Sequence, residues 1–194
     1  MNARTLLSIL LLAAGTLFTS STALAEETKT YQVDPVHSNV LFRVKHADTG
    51  YVYGEFLKFE GTVDYDKGEP SNSSIAWTLK ADSIFTNHRK RDKHLKSPDF
   101  FSAKQYPEIT FESTGVEETD DGLRVTGKLT MLGESRELTT EVERTGSGKD
   151  KQGNHRIGFS TEFSIDRSDW GMDFMVGGVS DRVDLTLTTE VVAK

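Results

Sequence analysis

The sequence predicts an all-β fold of eight antiparallel strands that close into an up-and-down barrel or pack as a sandwich. Apolar and polar residues alternate with a period of two through most of the chain, which is typical of strands with one buried face. Short turns rich in glycine, asparagine and aspartate separate these segments. Only residues 87–101 clearly break the alternation, and they predict one short helix between the third and fourth strands.

Residues 1–25 predict a secretory signal peptide. Arg4 gives the segment a weakly positive start, residues 6–18 are almost wholly apolar, and a small-residue cleavage signal ends at Ala25. The apolar run is shorter than a stable membrane span, which argues against the alternative of an N-terminal anchor helix. We therefore expect an exported protein whose mature part, residues 26–194, forms one domain.

Composition excludes several classes of function. The 194 residues contain no cysteine, so disulfide bonds, thiol catalysis and thiolate metal sites are excluded. The formal net charge of −7 argues against a nucleic-acid partner, because general nucleic-acid binding needs a broad basic face. Against this acidic background, residues 88–96 carry five lysines and arginines and one aspartate, so this segment is locally basic.

The first predicted strand runs through residues 39–46. Val40, Phe42, Val44 and His46 recur at every second position and so share one face. We expect this face to point into the fold.

The second predicted strand covers residues 50–65. Phe56 and Phe59 are both large and apolar but differ in parity, so one of them would face outward in a regular strand. We therefore expect a β-bulge at Leu57 and Lys58, which returns both rings to one face.

The remaining six strands follow the same alternation. Asp120-Asp121-Gly122 predicts a tight hairpin between the fourth and fifth strands. A turn at 132–134 and a polar loop at 146–153 separate the later strands. The residues that mark these strands are, in order, Ile75, Trp77, Leu79 and Ala81; Ile109, Phe111 and Ser113; Leu123, Val125, Gly127, Leu129 and Met131; Leu138, Thr140 and Val142; Ile157, Phe159, Thr161, Phe163 and Ile165; and Val183, Leu185, Leu187, Thr189 and Val191.

The predicted helix has a start signal, an internal ion pair and a stop signal. Asn87 is suited to cap the first turn, because its side-chain oxygen can accept from a free backbone N–H. Asp92 and Lys96 stand four apart and can pair on one helical face. Ser97 precedes Pro98, which pushes it out of the α region and ends the helix.

The inward faces of the strands carry many large aromatic residues. An eight-stranded barrel is just wide enough to be filled by side chains or to hold one small ligand. The pattern suits both a filled core and a lined cavity and favours the filled core slightly. It does not choose between a barrel and a sandwich.

Six segments together resemble the YceI-like family, in order from about Tyr31 to Val192. The block RDKHL…DFF…YP is the specific part of this resemblance. The segments are DPVHSNVLFRVKH, GEFLKFEG, ADSIFTNHRKRDKHLKSPDFF, YPEITFEST, GKLTMLG and RIGFSTEFSIDRSDWGMD. The resemblance implies an extended, lipocalin-like, eight-stranded antiparallel barrel, usually dimeric, that carries a long lipid in a tubular apolar cavity in the bacterial periplasm. The lipid is typically a polyisoprenoid, and the family has no agreed enzymatic reaction.

On this reading, residues on the inward faces of the strands line the lipid cavity. The candidates are Phe42, Val44, His46, Phe56, Phe59, Trp77, Leu79, Phe111, Leu129, Phe159, Phe163 and Leu185. The resemblance favours a cavity over a filled core, but it does not say which aromatic residues touch the lipid.

The basic helix admits three interpretations. It closes one end of the barrel as an amphipathic helix, with Leu95 and the phenylalanines after it as a plug. Alternatively, its cations meet the phosphate or polar head of the lipid, since charge-assisted contacts to phosphate are strong. In the third interpretation it makes transient contact with anionic membrane lipid. The candidate head-group residues are Arg89, Arg91, Lys93 and His94.

An apolar segment, residues 168–180, separates the last two strands. Trp170, Met172, Phe174 and Met175 lie there among three glycines. An exposed apolar loop needs a partner. We expect it to fold onto the barrel rim, to act as a mobile lid whose methionines adapt to varied chains, or to form the contact of a homodimer.

No metal site, cofactor or catalytic centre is predicted. His37 and His46 are nine positions apart and face opposite ways in a regular strand, and His88 and His94 are roughly 240° apart around a helix. Familiar catalytic and nucleotide-binding motifs are absent from the sequence. Two alternatives to a lipid carrier stay open: a filled-barrel stress or assembly factor that acts by protein contact, and an enzyme acting on a lipid.

Overall fold

The computed structural model describes residues 28–194, so the predicted signal peptide lies outside the described residues. Within the described part, no helix has the length and apolarity needed to cross a membrane. The strands are β1 Lys29–Val33, β2 Asn39–His46, β3 Gly50–Phe56, β4 Phe59–Tyr65, β5 Ser74–Lys80, β6 Ile84–Phe85, β7 Glu108–Thr119, β8 Gly122–Met131, β9 Glu134–Lys149, β10 His155–Asp166 and β11 Val179–Ala193. One α-helix, α1 Arg89–Leu95, lies between β6 and β7 in the chain, and short 3₁₀ turns occur at Pro70–Asn72, Ala81–Ser83 and Arg167–Trp170.

The strands form a closed antiparallel barrel, which confirms the predicted fold class and selects a barrel over a sandwich. The order β1-β4-β5-β7-β8-β9-β10-β11 returns to β1, so eight strands complete the ring. Closure removes the free edges that an open sheet would expose.

The long strand β11 carries two partners in succession along one edge. Near its end, Val191 pairs with Val33 of β1, and nearer its start, Leu187 pairs with Val40 of β2. From β2 the sheet continues through β3 to β6. The three places in the ring that follow β11 are therefore each shared by two strands. β1, β4 and β5 occupy them at one end of the barrel, and β2, β3 and β6 occupy them at the other.

This division corrects the predicted strand 50–65, which is two strands rather than one bulged strand. β3 pairs with β2 and β6, whereas β4 pairs with β1 and β5. At the break, the backbone N–H groups of Leu57 and Lys58 donate to Ser83, to its carbonyl oxygen and its hydroxyl. The parity change at Phe56 and Phe59 thus marks a change of strand partners.

The prediction of a polar loop over residues 146–153 was also wrong for its first half. β9 continues to Lys149, and Ser147 pairs with Ile157 of β10. The register shifts between Gly158 and Phe159, which pair with Gly146 and Arg144, so Thr145 of β9 is the extra residue of a bulge. The end of β9 is exposed on both faces, so it carries no alternation by which sequence could identify a strand.

Helix α1 starts and is stabilised differently from the prediction. The N-cap is His88, whose Nδ1 accepts from the N–H of Arg91 at 3.3 Å, whereas Asn87 adopts a left-handed φ of 58°. Asp92 accepts from the N–H and the hydroxyl of Thr86 at 2.8 and 2.5 Å, and it forms no ion pair with Lys96 among the described residues. The helix ends at Leu95 with Lys96 as its C-cap, one residue earlier than the stop at Ser97 predicts.

Gly127 allows a close approach of an aromatic ring to the barrel wall. A methyl group added there would lie 2.4 Å from Phe111 Cζ and 2.5 Å from the backbone oxygen of Glu112. We expect Gly127→Ala to lower the free energy of unfolding by about 2 kcal/mol, because backbone must shift to relieve the clash. Urea denaturation measures this change. The matched control is Gly115→Ala, since nothing lies within 4 Å of a Cβ there; equal stability losses in both variants would contradict the steric argument.

Candidate functional site

The barrel encloses an elongated cavity of about 450 Å³. Its wall runs from Val116 and Leu123, near the hairpin between β7 and β8, to His94 of α1 and Met175 of the loop before β11. The size lies in the range of small-molecule binding sites. Side chains therefore line the barrel without filling it.

The cavity wall is overwhelmingly apolar. Its ionisable groups in the described part of the chain are His46, Tyr65, Arg91, His94 and Arg167, and no aspartate or glutamate is among them. A long apolar molecule would gain free energy by leaving water for such a surface, at about 25 cal/mol per Å² of buried apolar area.

Eleven of the twelve candidate cavity residues reach the wall, all except Phe59. The ring of Phe59 stacks on Trp77 with centroids 5.5 Å apart, and Trp77 in turn lines the cavity. The alternation of the strands therefore brings the candidates together from seven different strands. Whether each contacts a ligand stays a prediction.

The head-group candidates on α1 divide into two pairs. Arg91 and His94 line the cavity, whereas Arg89 and Lys93 are exposed and do not reach its wall. Arg91 is fixed by Thr86, to whose hydroxyl Nε donates at 2.7 Å and to whose carbonyl Nη2 donates at 2.6 Å. This orientation follows from the Thr86–Asp92 contact at the helix start.

His94 is the other head-group candidate at the cavity wall. Its Nε2 lies 2.8 Å from Asp99 Oδ2, and its ring packs edge-on against Phe100 and Phe174 with centroids 5.1 and 5.5 Å away. The side chain is 45% exposed, so His94 borders both the cavity and the solvent.

The apolar loop before β11 has an anchored part and an exposed part. Trp170 is buried, and its Nε1 donates to the carbonyl of Leu129 at 3.0 Å. Met172 is buried at the cavity wall, whereas Phe174 and Met175 are exposed beside it. The first two residues therefore fold onto the rim, and the last two lie at the cavity opening.

Arg167 is a buried residue at this rim that the sequence analysis did not single out. Only 3% of it is exposed, and burial lowers the pKa of its guanidinium. Within residues 28–194 it donates only to backbone carbonyls, namely those of Met172, Phe174, Val179 and Ser180, at 2.7 to 3.2 Å. It thereby fixes both sides of the loop. The only sequence signal was its position between an alternating strand and an apolar loop.

Asp34, His37 and Glu190 form the one group in the described chain with metal-ligand spacing. A guanidinium already lies among them: Arg156 Nη1 is 2.7 Å from Asp34 and 3.0 Å from Glu190. The hydrogen bond from Arg156 is the main reason that the pKa of Asp34 falls from 3.8 to about 2. The arrangement is an ion-pair network, which joins β1, β10 and β11.

Asp34→Asn is expected to lower the free energy of unfolding at pH 7 by about 2 kcal/mol, since the folded protein favours the charged carboxylate. Because the folded pKa is below the unfolded value, this stabilisation is complete above the unfolded pKa of 3.8 and is lost as pH falls towards 2. Urea melts of both proteins at pH 7 and at low pH test this. A stability gap that stays constant down to pH 2 would refute the linkage.

Comparison with known proteins places the chain by sequence and by fold. The sequence model of the YceI-like domain matches residues 31–191. Protein YceI of Salmonella newport is 36% identical over 179 residues, which cover 91% of this chain and 92% of that protein. BcnA of Burkholderia cenocepacia superposes with a TM-score of 0.74 at 25% identity, covering 81% of this chain and 98% of BcnA.

A more distant structure shares the fold. The polyisoprenoid binding domain from Saccharophagus degradans superposes with a TM-score of 0.63 at 13% identity, and it covers 87% of this chain and 100% of that domain. The sequence match and the common barrel agree over nearly all described residues. The chain belongs to the YceI-like family.

Proposed function

We propose that the protein is a periplasmic binding protein that holds a long-chain polyisoprenoid or a similar amphiphilic lipid in its barrel. The observation that carries this proposal is the elongated cavity of about 450 Å³ with an apolar wall. Burial of a long hydrocarbon chain there supplies most of the affinity. Membership of the family and the polyisoprenoid-binding domain of the same fold support this ligand class. The predicted signal peptide supports export, and the protein transports, stores or protects the lipid.

The polar head of the lipid is proposed to lie at the open end of the cavity. Arg91 and His94 are the cationic or titratable helix residues that reach the wall there. Arg91 retains donors beyond those it gives to Thr86, and its planar fork suits phosphate or carboxylate oxygens. Met172 and Met175 contact the chain near this end.

The alternatives have less support. A filled barrel conflicts with a cavity of this size. A lipid-modifying enzyme has less support, because the cavity wall is largely apolar and its few ionisable groups include no carboxylate. We propose that binding involves no chemical step and no cofactor. The homodimer implied by the resemblance stays a prediction, which analytical ultracentrifugation tests.

Native mass spectrometry of the protein purified from its own periplasm, followed by lipid extraction, tests the proposal. We expect a co-purifying species with the mass of a prenyl lipid. A protein that carries no lipid and also fails to bind added prenyl alcohol and prenyl phosphate would overturn the carrier function. It would favour the alternative of a stress or assembly factor that acts by protein contact.

A further inference from the structure

Three consecutive apolar side chains form an exposed tip beside the cavity opening. Phe174 is 37% exposed, and Met175 and Val176 are each 49% exposed. We call residues 174–176 the apolar tip. Large apolar side chains held together in water indicate a surface that is covered by a partner.

The backbone of the apolar tip is rigidly held. Met175 adopts a left-handed φ of 57°, and its carbonyl accepts from the N–H groups of Gly178 and Val179 at 2.9 Å. Arg167 binds the carbonyl of Phe174 at 3.0 Å from the inner side. The tip therefore cannot simply collapse onto the barrel to hide its side chains.

The apolar tip adjoins the basic helix α1. Phe174 packs against His94 of α1, with ring centroids 5.5 Å apart. In the described chain, the lysines and arginines of α1 and its C-cap make no ion pair with a carboxylate. These cations are Arg89, Lys90, Arg91, Lys93 and Lys96. These five cations outnumber the three nearby carboxylates, which are Asp92, Asp99 beside His94, and the tip's neighbour Asp173. They do so on a protein whose net charge is −7.

Both features flank the same opening. Met175 and His94 each line the cavity and are each partly exposed, so the cavity reaches the solvent between the tip and the helix. A surface that touches these residues would cover the entrance directly.

We propose that this end of the barrel docks on an anionic bilayer, with the apolar tip entering the lipid interface and the cations of α1 facing the head groups. Apolar side chains that insert beside unpaired cations are the chemistry of an interfacial membrane contact. Three side chains present too little area for a specific protein interface, which needs about 1,000 Å². Docking in this orientation sets the cavity entrance against the membrane.

Vesicle co-sedimentation of the full mature protein tests the docking without any cargo. Vesicles of phosphatidylcholine alone are compared with vesicles containing about one third phosphatidylglycerol, at about 0.1 M salt and at higher salt. We expect binding to the anionic vesicles, weakened by salt. Equal affinity for both vesicle types, or no binding to either, would overturn the proposal.

Two pairs of variants assign the contact to its residues. Lys90→Glu with Lys93→Glu reverses two exposed charges on α1, and it is expected to weaken anionic-vesicle binding about tenfold or more. The matched control is Lys67→Glu with Lys151→Glu, which makes the same charge change in the turns after β4 and β9, at the opposite end of the barrel. Equal losses in the two variants would indicate a bulk charge effect and would contradict the proposal.

Met175→Ser with Val176→Ser is expected to reduce vesicle binding by a similar factor, since the tip would lose its insertion. Val36→Ser is its control, because Val36 is 82% exposed in the turn after β1, away from the opening. Unchanged binding by the tip variant would exclude the tip from the contact. Because the vesicles carry no prenyl lipid, the outcome is independent of whether the proposed cargo is correct.

Discussion

Leu185→Trp is expected to abolish lipid loading while the barrel stays folded. Leu185 lies on β11 between Phe42 of β2 and Phe163 of β10, and all three side chains line the cavity. An indole in this position fills space that the lipid chain would occupy, so we expect lipid occupancy to fall about tenfold or more. The cavity accepts the added volume, so stability should change by less than about 1.5 kcal/mol. Native mass spectrometry after incubation with prenyl alcohol measures occupancy, and urea denaturation measures stability.

Thr186→Trp is the matched control for this prediction. Thr186 is the next residue of the same strand, points to the other face and does not line the cavity. It adds the same ring outside the barrel and should leave occupancy unchanged. If Leu185→Trp loads lipid as well as Thr186→Trp does, the chain does not pass Leu185, and the proposed location of the cargo is wrong.

Arg167→Met is expected to be the most destabilising single substitution among those discussed, lowering the free energy of unfolding by about 3 kcal/mol or more. The side chain is 3% exposed and satisfies four backbone carbonyls. A methionine fills similar volume but leaves those carbonyls without their donor, and each buried unsatisfied group costs about 1–3 kcal/mol. Urea denaturation gives the free energy, and limited proteolysis of residues 172–180 shows whether the loop has opened.

Two further variants make the result specific. Arg167→Lys keeps the charge, but one ammonium cannot reproduce the planar fork that reaches carbonyls on both sides of the loop, so we expect an intermediate loss. Arg182→Met removes an exposed arginine of β11 whose ion pair with Asp184 lies at the surface. Such a pair contributes about 0–1 kcal/mol to the free energy of unfolding, so we expect a small loss. Comparable stability of the Arg167→Met and Arg182→Met proteins would contradict the role of Arg167 as the clamp of the loop.

The sequence predicted the parts of the barrel in which one face is buried. Alternation placed Phe42, Val44 and His46 on one side of β2, and all three line the cavity. The period of two is enough here because each strand faces the cavity on one side and solvent on the other. The hairpin at 120–122 followed from its turn residues, and Gly122 pairs with Thr119 as that turn requires.

Features that depend on distant partners were not predictable from local pattern. The change at Leu57 and Lys58 looked like a bulge, because sequence alone cannot reveal that β3 and β4 have different neighbours in the barrel. The same limit applies to β1 and β6, which are too short to show a period.

The sequence predicted the apolar wall of the candidate site but not the hydrogen bonds that hold its arginines in place. Arg167 acts on carbonyls of residues 172–180, and Arg91 is oriented by Thr86, two residues before the helix cap. Neither contact has a spacing or residue pattern that identifies it. Backbone acceptors are present at every position, so an arginine that binds them leaves no second residue in the sequence to pair with it.

The double pairing of β11 constrains the order in which the protein folds. Tyr31 of β1 pairs with Ala193, and Val40 of β2 pairs with Leu187, so nearly the whole described chain lies between the partners. Hairpins such as β7–β8 can form early and locally, whereas ring closure waits for β11. Chains rich in such distant contacts fold slowly, because the entropy of a long loop is lost before the stabilising contacts have formed. During synthesis, β1 and β2 therefore emerge without their partner and keep open edges until the last strand arrives.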